Sequence, residues 1–280
     1  MSRTSDDDVL LEQIGWGAST RRIRGMVLRH WYVIRGSLPR ALELVFWPML
    51  SMLTWGFLQV HLSQTTSLAA KAAGLFVGGV LLWELLARGH LGFAVAFLEE
   101  IWSRNLGHLM MSPLRPWELA ASLMVVSMIK LLVSMVPVAI VAYAMFGFSL
   151  FSLGIAFAAF FANLVIMGWA LGLLSTGAVL RWGLGAESLA WMIVFVILPL
   201  ACVYYPVSTL PAWLQPVALA LPATHVFEGL RSLVLEQTYR SDEMAWAAGL
   251  NVIYLGGAFA LFKHLLESAR RNGTLVGIGE

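Results

Sequence analysis

The chain has 280 residues, of which 59% are hydrophobic and 12% charged, with a formal net charge of +2. Soluble domains are about 25% charged, so this composition and the mean hydropathy of +0.79 predict an integral membrane protein without a sizeable soluble catalytic domain. The single cysteine, Cys202, excludes an internal disulfide and a cysteine-rich metal site.

Residues 21–40 are basic and contain six arginines. Apolar residues are interleaved among these arginines: Ile23, Met26, Val27, Trp31 and Ile34. The pattern predicts an amphipathic helix that lies along the membrane surface, with its arginines on anionic headgroups. Basic amphipathic stretches also bind nucleic acid, but the apolar span that follows favours lipid, so we expect no nucleic-acid partner.

Six apolar segments of spanning length follow. We predict transmembrane helices at residues 41–60, 69–98, 119–146, 148–180, 188–204 and 244–266, with a turn at 61–66 after the first. Pro48 should kink the first helix without ending it. Gly74 and Gly78, and likewise Gly168 and Gly172, have the four-residue spacing typical of close helix contacts.

The distribution of lysine and arginine predicts the orientation. With six spans and an inner N-terminus, most of these residues fall on the inner side, whereas the outer segments hold only Lys71, Arg231 and Arg240. Both termini are therefore expected in the cytoplasm. The polar segment at residues 98–118 is then cytoplasmic, and the segment at 205–242 is extracellular.

Residues 98–118 are polar and lie between two apolar runs. One set of side chains, at helical spacing, could lie against a partner or the membrane: Ile101, Leu106, Leu109 and Met110. A second set should form the polar face: Glu99, Glu100, Arg104 and Asn105. Ser112, Pro113 and Pro116 break this short helix. An ordinary solvated loop is the alternative.

The outer segment is divided by four prolines, and residues 217–221 and 226–235 are apolar. We predict two short re-entrant helices joined near Pro222 that cover a central pathway. His225, Glu228 and Arg231 are three apart and could form a charge-assisted chain. Fixing this cap is the favoured role, and substrate contact is the alternative.

Few ionisable residues lie within the spans. Glu84 and Arg88 are four apart in the order that favours pairing, and they could line a polar cavity or simply neutralise one another. Lys130 could reach the interface or pair with another helix. No lysine follows a glycine, so the chain has no P-loop. The histidines lack metal-ligand spacing, so we expect no catalytic residue, metal or cofactor in this chain.

The polar and outer segments together resemble the membrane subunits of ABC-2 type ABC exporters, over about residues 21–266. The cytoplasmic run from Glu99-Glu100 through Gly107 to Ser112-Pro113 is similar to the acidic, glycine, Leu-x-Ser/Thr-Pro loop of that family. The outer run has the family's order of motifs: Tyr205-Pro206, Leu210-Pro211, Leu221-Pro222, His225, Glu228 and Arg231. Trp117 and Glu118 depart from the family, which often has a basic residue there.

The resemblance implies a permease that dimerises, most simply with itself, and works with two copies of a separate ATP-binding subunit, which would hold ATP and Mg²⁺. A coupling helix at residues 99–111 would dock on that subunit through Glu99, Glu100, Arg104, Asn105, His108 and Met111. The path would run along the dimer interface, lined by the first, second and fifth spans, with Glu84 and Arg88 as candidate lining residues.

The fold expected is an all-α membrane protein in the bacterial inner membrane. It comprises a cytoplasmic N-terminus with the interfacial helix (residues 1–40), a six-span ABC-2 type domain (41–266) and a cytoplasmic tail (267–280). The exported substrate would be amphipathic, a drug-like compound or a lipid-linked glycan. A membrane-embedded enzyme or a passive channel that uses Glu84 and Arg88 is the alternative.

Overall fold

The computed structural model describes residues 16–65 and 75–272, whose regular secondary structure is helical throughout. The α-helices, numbered in chain order, are α1 (Trp16–Arg35), α2 (Leu38–Thr65), α3 (Leu75–Trp102), α4 (Leu106–Met111), α5 (Pro116–Phe146), α6 (Ile155–Trp182), α7 (Glu187–Leu200), α8 (Gln215–Leu219), α9 (Pro222–Leu235) and α10 (Ser241–Asn272). The all-α prediction is confirmed for these residues.

Five segments of the described chain are long and apolar enough to cross a membrane. They are Leu38–Gln64, Leu75–Trp102, Pro116–Phe146, Ile155–Leu200 and Ser241–Arg271. The predicted fourth and fifth spans, residues 148–180 and 188–204, both overlap the single segment Ile155–Leu200, which contains α6 and α7. Because α7 has 14 residues, it is about 21 Å long, shorter than the roughly 30 Å hydrocarbon core.

Several predicted boundaries are wrong. α2 continues through Thr65, so the turn predicted from residue 61 is absent as far as the described chain extends, because neither proline nor glycine interrupts this part of the helix. α6 begins at Ile155 rather than at 148. Gly147 ends α5 with φ +66° and Gly154 precedes α6 with φ +61°, so the chain turns between two left-handed glycines. Pro48 lies inside α2 as predicted.

α3 is the central helix, and most of its side chains are buried. It packs closely on α6 at two glycines. A Cβ on Gly168 would lie 2.8 Å from the Leu86 carbonyl oxygen, and one on Gly172 would lie 2.8 Å from Phe93 Cβ. The predicted close helix contact at these glycines is therefore confirmed, and it lies within one chain. Gly74 lies outside the described residues.

Two contacts with α3 show the direction in which α7 runs. At its start, Trp102 Nε1 donates to Glu187 Oε2 over 3.3 Å. Just beyond its end, the Val203 carbonyl oxygen lies 3.4 Å from the Cβ position of Gly79, near the other end of α3. α7 and the residues after it therefore run antiparallel to α3.

Candidate functional site

The polar segment after α3 forms two elements instead of the single helix predicted over residues 99–111. α3 continues through Trp102, and Arg104 then adopts a left-handed backbone conformation with φ +54°. This residue turns the chain, because an α-helix cannot continue through positive φ. A separate short helix, α4, follows from Leu106 to Met111.

The apolar residues of this segment face their own chain rather than a partner or the membrane. Ile101, Leu106 and Leu109 are buried in one apolar cluster with Met26 of α1 and Phe262 of α10. Burial of their side chains anchors α4 beneath the transmembrane helices. The prediction of an outward apolar face is therefore wrong for these three residues.

Glu100 is buried as well, with 1% of its surface exposed, so it is not accessible for the docking contact that the resemblance implied. Arg29 Nη1 donates to Glu100 Oε2, and Asn105 Nδ2 donates to the same oxygen over 2.7 Å. His30 Nε2 lies 3.4 Å from Glu100 Oε1. A buried carboxylate needs such partners, and these contacts use Glu100 and Asn105 inside the chain.

Two further ion pairs support the segment. Lys130 Nζ donates to Glu99 Oε1 over 3.0 Å, which joins α5 to α3. Arg22 donates to both carboxylate oxygens of Glu118, at 2.9 and 2.5 Å, and Glu118 Oε2 also accepts the Arg115 backbone N–H over 2.9 Å. The hydrogen bond to Glu118 raises the pKa of Arg22. Glu118 therefore caps α5 and holds α1.

The sequence contained a signal for these contacts that the lipid interpretation of α1 did not use. Arg22 and Arg29 are seven residues apart, so they lie on the same face of a helix. In the structure this face meets two acids, Glu100 and Glu118. A helix is present where one was predicted at residues 21–40, but α1 ends at Arg35 and residues 38–40 belong to α2. Two arginines of α1 bind protein carboxylates.

The remaining predicted coupling residues face outward. Arg104 and His108 are exposed, and 78% of the Met111 surface is exposed. Trp102, at the end of α3, is half-exposed beside them. We define Trp102, Arg104, His108 and Met111 as the α4 surface. Of the six predicted coupling residues, three therefore lie on this surface and three make contacts inside the chain.

The segment between α7 and α10, predicted to form the outer cap, contains two short helices, α8 and α9. They begin at Gln215 and Pro222, earlier than the predicted residues 217 and 226. Glu228 and Arg231 form the predicted ion pair, at 2.8 Å. Arg231 Nη2 also donates to the carbonyl oxygens of Cys202 and Tyr205, over 2.9 and 2.8 Å, and Glu228 Oε1 accepts the Val207 N–H over 2.8 Å. These contacts hold the turn after α7 against α9.

His225 does not join the predicted chain with Glu228. Its Nδ1 lies 2.6 Å from Glu243 Oε2 on α10, and its Nε2 lies 2.9 Å from the Leu219 carbonyl oxygen. Residues six apart on an α-helix are about 120° apart around its axis, so His225 and Arg231 face different neighbours. The three side chains therefore make two separate sets of contacts, one through His225 and one through the Glu228–Arg231 pair.

Replacing Arg231 with methionine should destabilise the cap by about 2–3 kcal/mol, because a buried charge-assisted network loses its donor. Arg231 is 9% exposed, so water cannot readily take its place. The measurement is thermal unfolding in mild detergent, together with protease cleavage in the turn after α7. Arg240→Met is the matched control, since Arg240 pairs with Asp242 and Glu243 at the surface. Equal unfolding temperatures for the two variants would contradict the assignment.

Glu84 and Arg88 are paired as predicted, with Arg88 Nε 3.0 Å from Glu84 Oε2. Glu84 is buried and Arg88 is partly exposed. Three partly exposed side chains follow Arg88 along α3: Leu91, Val95 and Glu99. Their spacing of three or four residues places them on the same helix face as Arg88. Between Glu84 and Glu100, the partly exposed side chains of α3 therefore form one narrow stripe.

A partly exposed aromatic cluster lies near the start of α3. Tyr204 stacks on Trp55 with ring centroids 4.3 Å apart, and Phe76 lies 6.5 Å from Tyr204.

Within residues 16–65 and 75–272, no group of three or more histidine, cysteine, aspartate or glutamate residues could hold a metal ion.

Comparison with known families identifies one matching description. The family model for the ABC-2 type transporter matches residues 36–235, which extend from the start of α2 to the end of α9. No curated protein matches the chain. The matched region includes α4, the Glu84–Arg88 pair and the outer cap.

Proposed function

Because the chain belongs to the ABC-2 type transporter family, we propose that it is the membrane-spanning subunit of an ATP-driven exporter. ABC-2 permease domains are typically the non-catalytic transport subunits, and such subunits bind no cofactor themselves. A family permease implies an ATP-binding partner subunit. In the proposed complex, two copies of that subunit bind ATP and Mg²⁺, and this chain forms the path.

The observation that carries the proposal is that the α4 surface is exposed while the opposite side of the same segment is buried in the chain. Trp102, Arg104, His108 and Met111 point outward, while Glu100 and the apolar face of α4 are fixed inside the chain. The apolar side chains of α4 pack in one cluster with the ends of α3 and α5, and ion pairs join α1, α3 and α5 here. A force applied to α4 would therefore move the ends of α3 and α5. A docking element for a moving ATPase requires such a rigid connection.

We further propose six membrane crossings with both termini in the cytoplasm of a bacterial inner membrane. The antiparallel course of α7 along α3 supports a separate crossing, with the residues up to Val203 completing its length. The lysine and arginine asymmetry supports the orientation. In this arrangement α4 is cytoplasmic and the α8–α9 cap, proposed as re-entrant, is extracellular. Residues 1–40, 41–266 and 267–280 are the corresponding N-terminal, transmembrane and tail regions.

A homodimer is the proposed assembly, and its path runs between the two copies. The spanning window of α2 is only 17% buried within the chain, and several large apolar side chains on α7 are exposed, among them Phe195 and Met192. The stripe that begins at Arg88 supplies the contribution of α3. A mixed polar and aromatic lining suits an amphipathic substrate, a drug-like compound or a lipid-linked glycan.

The double change His108→Asp with Met111→Asp should reduce recovery of the ATP-binding subunit by about tenfold. Burying two new carboxylates in an interface is costly. The measurement is affinity purification of the full chain from its native membrane, with identification of co-purifying ATP-binding proteins and an ATPase assay. Trp213→Asp is the matched control, because Trp213 is 75% exposed on the outer cap.

Two results would contradict the exporter. One is recovery of intact chain without any ATP-binding protein. The other is full recovery and ATPase activity with the His108 and Met111 changes. The first result would favour the membrane enzyme or passive channel, and substitution of Glu84 and Arg88 would then be the next test.

A further inference from the structure

A cavity of about 340 Å³ opens between α1, the start of α2 and the end of α3. Its walls include Arg29, Val33, Arg40, Glu99 and Trp102. The volume is at the lower end of the roughly 300–1,000 Å³ typical of small-molecule sites. It accommodates a small polar group together with some apolar contact.

The position of this cavity matches the level of lipid headgroups. Arg40 lies in the first turn of α2 and Trp102 is the last residue of α3, and both helices are candidate membrane spans. Tryptophan and arginine at span ends are typical of the membrane interface. The cavity therefore faces the headgroup layer of one leaflet.

The charges around the cavity leave one cation unmatched. Arg29 pairs with Glu100, and Lys130 pairs with Glu99. Arg40 is exposed, and its guanidinium makes no hydrogen bond or ion pair with any residue that the structure describes. Glu43, one turn along α2, is also exposed and forms no ion pair within that part of the chain. Arg40 is thus available to an anion.

A second group at the cavity lacks a partner. Glu99 Oε1 accepts from Lys130, but Glu99 Oε2 is buried and has no hydrogen-bond partner among residues 16–65 and 75–272. His30 Nε2 is 3.9 Å from this oxygen, which is beyond hydrogen-bonding distance. Buried carboxylate oxygens are normally satisfied, so this atom requires a donor such as a hydroxyl group.

We propose that this cavity binds the headgroup of an anionic glycerophospholipid. The phosphate contacts Arg40 and the exposed part of the Arg29 guanidinium, and a headgroup hydroxyl donates to Glu99 Oε2. Val33 and Trp102 contact the beginning of the acyl chains. Phosphatidylglycerol carries both required groups. An ammonium group could also donate to Glu99 Oε2, but a zwitterionic headgroup carries no net charge, whereas the net negative charge of phosphatidylglycerol is attracted by Arg29, Arg40 and Lys130 together.

The test uses the full chain, purified in mild detergent and stripped of lipid. Native mass spectrometry measures binding of phosphatidylglycerol, phosphatidylethanolamine and inorganic phosphate. We expect phosphatidylglycerol to bind at least about fivefold more tightly than either of the others. Arg40→Gln should weaken its binding by about tenfold, since a charge-assisted hydrogen bond is lost.

Matched variants separate a specific site from general attraction to basic surface. Arg35→Gln removes an exposed arginine near the cavity but outside its lining, and binding should change by less than about twofold. Ser103 also lines the cavity, so Ser103→Trp fills it without changing charge and should abolish specific binding. Equal losses for Arg35→Gln and Arg40→Gln, or equal binding of the two lipids, would overturn the proposal. Phosphate binding as tight as that of phosphatidylglycerol would replace lipid with a soluble phosphate compound.

Discussion

Replacing Glu100 with arginine is expected to destabilise the folded protein by about 3–5 kcal/mol, because a buried acid that holds Arg29 becomes a buried cation beside it. Glu100 is 1% exposed, and it borders the cavity between α1 and α3. An arginine that extended into this cavity would still place its charge beside the Arg29 guanidinium and would leave the Asn105 amide without its acceptor. We therefore expect loss of folded protein, rather than a folded permease with impaired coupling.

The measurement for Glu100→Arg is the yield of monodisperse protein in detergent and its thermal unfolding, followed by tryptophan fluorescence. Arg104→Glu is the matched control, since it reverses an exposed charge in the same segment and should change stability by less than about 0.5 kcal/mol. Combining Arg29→Glu with Glu100→Arg should restore part of the loss by reversing the pair. An unfolding temperature unchanged from the native protein would show that Glu100 is not buried.

Replacing Gly168 with valine is expected to separate α3 from α6 and destabilise the protein by about 3 kcal/mol, the upper range for an overpacked core. The new Cβ would lie 2.8 Å from the Leu86 carbonyl oxygen and 3.0 Å from the His90 backbone nitrogen. Both atoms belong to the backbone of α3, so no side-chain rotation can relieve the clash. The whole helix would have to shift.

Gly256→Val is the matched control for this change. Gly256 lies on α10, and a Cβ there would meet nothing within 4 Å, so stability should be unchanged or slightly higher because glycine is the poorer helix former. Unfolding in mild detergent, monitored by fluorescence, compares the two variants. Comparable stability of both would mean that α3 and α6 do not approach as closely as the structure shows.

Features that depend only on residue spacing along one helix were predictable from sequence. Glu84 and Arg88 pair because residues four apart lie on the same helix face, and Glu228 and Arg231 pair for the same reason at a spacing of three. Gly168 and Gly172 marked a close helix approach because only small residues at this spacing allow backbones so near one another. Such predictions need only the geometry of the helix.

Contacts between distant segments were not predictable in this way. Arg29 and Glu100 are 71 residues apart, and His225 binds Glu243 instead of the acid three residues away in its own helix. Charge alone made Glu100 a reasonable surface residue, just as it made Arg29 a reasonable lipid ligand. Their burial follows from the docking of α1 against the end of α3, which no local pattern contains.

The sequence by itself determined that the protein is helical and membrane-embedded, where its helices lie to within several residues, and to which family it belongs. Composition and hydrophobic periodicity suffice for the helices and their place in the membrane, because each apolar segment must satisfy its own backbone hydrogen bonds. The family follows instead from the order of the motifs along the chain. Only the tertiary structure decided that Arg104, His108 and Met111 face outward while Glu100 faces inward. That choice depends on which helices pack together, because burial of a charge is tolerated only where another segment supplies its partner.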